Sequence, residues 1–161
     1  MMFFLRSLVA IMLFALASGP SLADSRAMSL PVDKTPLVAE TSTGEVRFSI
    51  EIADEAGEQS RGLMFRDDMP DDRGMLFDLG STRSAAFWME NTPMPLDLLF
   101  IGDDVKVKAI LKGQPYSRAT ISPGVPVRFV LELKQGTAAR LGVVDGARLR
   151  HPSIDAVAGS Q

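Results

Sequence analysis

Short apolar–polar alternations, cut apart by glycine and proline turns, limit this chain to a β-rich fold. Val46, Phe48, Ile50 and Ile52 alternate with Glu45, Arg47, Ser49 and Glu51. A period of two puts one set on a buried face and the other on an open face of a strand. Val127, Phe129, Leu131 and Leu133 repeat the pattern. Gly102-Asp103-Asp104 lies between the apolar runs Leu96–Ile101 and Val105–Leu111 and signals a hairpin. Leu37–Thr41, Gly74–Leu79, Ala85–Glu90 and Ala147–Arg150 read as further strands. Helix is confined to Glu55–Met64, where Asp54 would cap and Gly57 and Gly62 would weaken it, and to Thr137–Leu141. About eight short strands with one or two short helices predict a mainly β, compact single-domain β-sandwich or small barrel. The helical connections are too few for a parallel α/β sheet.

The N-terminus carries a different pattern. Arg6 is the only charge before Asp24, and an apolar stretch from Leu8 to Ala17 follows it. Ser18-Gly19-Pro20 breaks that stretch, and Ser21-Leu22-Ala23 offers small residues where a signal peptidase reads them. The expectation is a signal peptide over residues 1–23, cleaved after Ala23. The apolar core is about half the length a spanning helix needs, so stable membrane insertion after cleavage is not expected. A flexible leader over 24–36, a globular domain over 37–152 and a loose tail over 153–161 complete the organisation. Export places the mature chain in the periplasm or outside the cell.

Composition narrows the chemistry. The chain has no cysteine and one histidine, His151. Disulfide support, thiol catalysis and thiolate or multi-histidine metal sites are therefore excluded. The 161 residues carry a net charge of −3, and removing 1–23 takes away only Arg6. That mild acidity argues against nucleic acid as a partner. No metal and no cofactor is called for.

From Val46 to Arg150 the chain also carries a recognisable series of motifs. They are Ile50-Glu51-Ile52-Ala53, Arg61-Gly62-Leu63-Met64-Phe65-Arg66 and Gly74-Met75-Leu76-Phe77. Phe87-Trp88-Met89-Glu90-Asn91-Thr92, Pro95-Leu96-Asp97, Val130-Leu131-Glu132-Leu133 and Leu141-Gly142 follow. In these the chain resembles the bacterial and archaeal family called domain of unknown function 192. Gly146-Ala147 departs from the family's usual Gly-Asp. The resemblance implies a compact β domain and no assigned activity.

Three groups of residues are candidates for a site. Trp88, Met89, Asn91, Thr92, Met94 and Asp97 surround a rigid turn containing Pro93 and Pro95. Such a turn could wall a small ligand pocket or serve only as a structural corner. Arg61, Arg66, Asp97 and Glu132 offer charges, either for a ligand or for an internal ion pair that fixes helix on sheet. Met64, Met69, Met75, Met89 and Met94 with Trp88 could offer soft ligands to Cu(I), or simply fill a core. The leading reading is a non-catalytic exported domain that binds a small ligand or envelope component. The alternatives are a hydrolase of an envelope polymer using Asp97 or Glu132, and a Cu(I) carrier.

Overall fold

The computed structural model describes residues 26–158, so the expected signal peptide lies outside the described residues. The chain is mainly β. Strand β1 (Leu37–Thr41) turns through Ser42-Thr43 into β2 (Gly44–Ala53). Helix α1 (Ala56–Arg61) crosses to β3 (Arg73–Arg83), which runs parallel to β2. Strands β4 (Leu96–Ile101) and β5 (Val107–Gly113) form the expected hairpin. After β6 (Val127–Lys134) come α2 (Thr137–Arg140), β7 (Leu149–Arg150) and α3 (Pro152–Ala158).

The seven strands make one curled mixed sheet in the order β5-β4-β6-β3-β2-β1-β7. Its two edges meet at one end. The Val107 amide donates to Ala147 at 2.9 Å, and the Leu149 amide donates to Val105 at 2.9 Å. Farther along, β5 and β7 diverge, and residues 136–145 fill the gap. The result is a half-barrel closed at one end only.

Each face of the sheet carries its own core. The concave face gathers Leu37, Phe48, Ile50, Leu76, Leu99, Phe129, Leu131 and Leu149. The convex face gathers Met75, Phe77, Leu98, Phe100 and Val130, covered by Leu63, Met69, Ala85, Met89 and Met94 from the connecting loops. Strand β4 is buried on both sides because both cores meet on it.

Several expectations change in the folded chain. Residues Ala85–Glu90 do not form a strand; Phe87 makes only an isolated bridge with Ile121. Ala85 and Met89 are buried and Phe87 half-buried because this extended segment lies across the convex core, which imposes the same period of two. Helix α1 stops at Arg61 rather than Met64. Gly62 adopts φ 48°, and a Cβ there would lie 3.2 Å from the Phe77 ring. Glu58, not Asp54, organises the helix start, accepting the Asp54 and Glu55 amides at 3.2 Å each. The described part of the expected leader is held along β2, where Asp33 donates to Ile50 at 2.8 Å and Val32 bridges Glu51. The expected loose tail is helical as far as Ala158, and Ile154 enters the concave core.

Candidate functional site

Two buried carboxylates stand on the convex face. Glu51 on β2 and Glu132 on β6 both register against Met75 of the intervening β3. Glu51 is 1% exposed and heavily bonded. Arg66 grips it from the loop after α1, at 2.7 and 2.9 Å. Arg73 approaches at 3.6 Å, and the Leu30 amide donates at 3.0 Å. Arg66 also donates to the Met28 carbonyl at 2.5 Å, so one guanidinium ties the leader to the sheet. Burial alone would raise the Glu51 pKa. The Arg66 hydrogen bond, the Leu30 amide and the two arginine charges outweigh it and hold the carboxyl below its usual value.

Glu132 is the opposite case. It is 4% exposed, between Met75 and Leu98, and among the described residues no hydrogen bond or ion pair reaches its carboxyl. Desolvation pushes its pKa up to about 8. Lys134, two residues along β6, is engaged with Asp68 at 2.8 Å and Asp71 at 3.0 Å.

The other sequence candidates scatter. Arg61 stacks over the Phe65 ring at 5.1 Å and donates to the Arg26 carbonyl, apart from the Arg66–Glu51 pair. Asp97 lies on the concave face, 3% exposed, where Oδ2 accepts the Gly136 amide at 2.9 Å and the Ala138 amide at 3.1 Å. Asp97 and Glu132 thus face opposite sides of the sheet and cannot act together on one substrate. Asn91 is exposed with φ 55°; its backbone carbonyl, not its side chain, accepts the Phe65 amide at 2.7 Å. Thr92 is buried and donates to the Glu90 carbonyl at 3.2 Å. Met69, Met75, Met89 and Met94 are core residues of the convex face. His151 is packed at the far end of the barrel, where Nε2 lies 3.2 Å from the Thr35 carbonyl and Nδ1 accepts the Ser153 amide. The methionines and the histidine therefore do not meet.

Trp88 is the large apolar side chain of the turn group that opens on solvent, at 52% exposure. It sits at a cleft of about 420 Å³ between α1, the end of β3 and residues 85–88. Phe77, Leu79 and Phe87 supply the apolar wall, and Gln59, Ser60 and Arg83 the polar one. The wall is fixed. Phe87 contacts Phe77 and Phe100 edge-on at 5.2 and 6.0 Å, and its amide and carbonyl both bond Ile121 at 2.9 Å. Met89 anchors the next residue through Ser117 at 2.8 Å. A second cleft, about 560 Å³, opens where β5 leaves β7, lined by Asp97, Ile110, Lys112, Val143, Val144 and Asp145.

Sequence reasoning missed Glu51, Gln59, Arg73 and Arg83. Glu51 occupies a polar position in a clean alternation, which marks an open strand face. Nothing local shows that residues 28–30 and 66 cover it. Arg83 and Gln59 belong to no motif and meet only through the β2–α1–β3 crossover.

The comparisons with known proteins agree with this architecture. The family model DUF192, described as "Uncharacterized ACR", matches residues 38–151, and the chain belongs to that family. A structure of a protein proposed to be a transcription regulator, from Sinorhizobium meliloti 1021, is similar at 40% identity and TM-score 0.71. That match covers 76% of this chain and 97% of the other. A protein of unknown function from Novosphingobium aromaticivorans DSM 12444 is similar at 33% identity and TM-score 0.71, covering 83% of this chain and all of the other. No curated protein matches the chain.

Proposed function

We propose that this member of the domain of unknown function 192 family is an exported, non-catalytic domain that binds a small ligand in the cleft beside Trp88. The observation that carries this reading is a half-exposed tryptophan on an immobilised segment at the mouth of a preformed cleft. The exposed half of the indole is apolar surface that an occupied cleft would remove from water, a favourable term. The volume falls in the range of small-molecule sites, and the mix of aromatic walls with a few polar groups matches their chemistry. Of the residues first considered, Trp88 stays in this site. Met89 and Met94 belong to the convex core beneath it, whereas Arg66 serves Glu51 and Asp97 lies on the concave face.

Export is supported by the charged, apolar and small-residue segments of residues 1–23. The released domain should begin at Asp24, which mass spectrometry of the extracytoplasmic fraction would read directly. An uncleaved chain retained in the cytoplasm would sink that part of the proposal. For the cleft, a ligand panel monitored by fluorescence of Trp88, the single tryptophan, gives the test. Saturable changes accompanied by shifts of the proton resonances of Phe87 and Gln59 in the same titration support the site. Saturable binding that leaves those resonances unmoved places the ligand elsewhere.

A further inference from the structure

Resting on the cleft reading above, we infer that the ligand is a small organic anion: an apolar, preferably flat, body carrying a carboxylate or a group of like charge and shape. The argument is an inventory of the cleft wall. Among the described residues Arg83 is the single ionised side chain that lines it, and no aspartate or glutamate does. Among the described residues no ion pair or hydrogen bond engages the Arg83 side chain. Every other arginine near the cleft is committed. Arg128 is paired with Asp78, Arg61 lies over Phe65, and Arg118 is paired with Glu90.

The neutral groups point the same way. The Gln59 amide nitrogen is occupied by the Asp78 carbonyl at 2.6 Å, and the Ser60 hydroxyl by the Ala56 carbonyl at 2.8 Å. The side-chain donors left to a ligand are the Arg83 guanidinium and the Trp88 indole N–H. A guanidinium fork is complementary to a carboxylate, and the Trp88 and Phe87 rings offer surface to an apolar body. The second cleft makes the contrast: Lys112 there shares the lining with Asp97 and Asp145. Electrostatic selection of anions belongs to the Trp88 cleft.

The test titrates the full folded chain with 3-phenylpropionate, its neutral isostere 3-phenylpropionamide and the cation 3-phenylpropylamine. Isothermal calorimetry gives affinity, and the Trp88 indole resonance gives location. The acid should bind about tenfold more tightly than the amide, the size of one charge-assisted contact, and the amine should not compete. In Arg83→Gln the ratio of acid to amide should fall to about one; Arg83→Lys, which keeps the charge and loses the fork, should fall between. Arg83 and Trp88 are both exposed, so these variants should fold as the parent does. If the amide matches the acid in the parent, or the ratio survives Arg83→Gln, the anion inference is wrong and the cleft reading stands. If none of the three moves the indole resonance at millimolar concentration, the cleft reading fails and takes the inference with it.

Discussion

Glu51 and Glu132 occupy nearly equivalent places, one strand to either side of Met75 on the same face, and both are removed from water. Their charge states diverge all the same. Glu51 has two arginines and a backbone amide around it, and Glu132 has only apolar neighbours along its row, Met75 and Leu98. Position on the sheet fixes burial. The loop that covers the position fixes charge. The stretch after α1 brings Arg66 over β2, whereas to β6 it brings the acids Asp68 and Asp71, which hold Lys134.

The largest expected effect comes from breaking the satisfied member of the pair. Glu51→Gln leaves Arg66 half-covered beside a neutral partner, and should cost about 3–5 kcal/mol in urea unfolding. Arg66→Met should cost a similar amount. The double variant should recover part of the sum, because neither remaining group is then an unpaired charge. A loss below about 1 kcal/mol for Glu51→Gln would erase the distinction drawn here, since that is the scale of an exposed pair.

Glu132→Gln should act in the other direction and depend on pH. The Glu132 pKa is raised in the folded chain, from 4.5 to about 8. The unfolded chain therefore releases its proton first, and stability falls as pH rises from about 4.5 to about 8. Gln removes that decline. The variant should match the parent near pH 4 and exceed it by a few kcal/mol near pH 9. Glu51, with its pKa lowered from 4.5, has the opposite sign. Its contribution is present above pH 4.5 and is lost as pH falls through the folded value. Equal stability of parent and Glu132→Gln across the whole range would mean that Glu132 has found a partner.

Asp97 sharpens the comparison with a third solution, a buried carboxylate served by two amides. Asp97→Ala should cost about 1–3 kcal/mol by stranding the Gly136 and Ala138 N–H groups, and Asp97→Asn less. The gap should show in thermal unfolding. Trp88→Ala, on the same face as the two glutamates but open to water, is the smallest effect. It should change stability by less than about 1 kcal/mol while weakening ligand binding, read by calorimetry, about tenfold or more. A loss as large as that of Glu51→Gln would make Trp88 a packing residue.

Part of this was legible beforehand. The alternation in 46–52 and 127–133 gives two strands and their buried sides, and Gly102-Asp103-Asp104 gives a hairpin. Glu132 between Leu131 and Leu133 is correctly turned away from their face. The same rule misleads at Ala85–Glu90, because a segment draped over a core alternates as a strand does without a neighbour to pair. It misleads again at Glu51, because alternation reports which side faces the first core and says nothing about a second one. Met89 and Trp88 are adjacent in the chain, yet one is buried and the other open, since successive side chains of an extended segment point apart.

By itself the sequence determined a cysteine-free, mostly β domain, its family, the residues at its turns and an uncharged apolar run ahead of it. These depend on short-range periodicity, turn chemistry and composition, which are local. The tertiary structure alone decided that β2 pairs parallel to β3, that Arg66 belongs to Glu51, that Glu132 has no partner among the described residues, and that Arg83 and Gln59 share a cleft with Trp88. Each of these joins residues from separate elements. Their meeting depends on strand order and on how loops lie over the sheet, and neither is written in the spacing of residues along the chain.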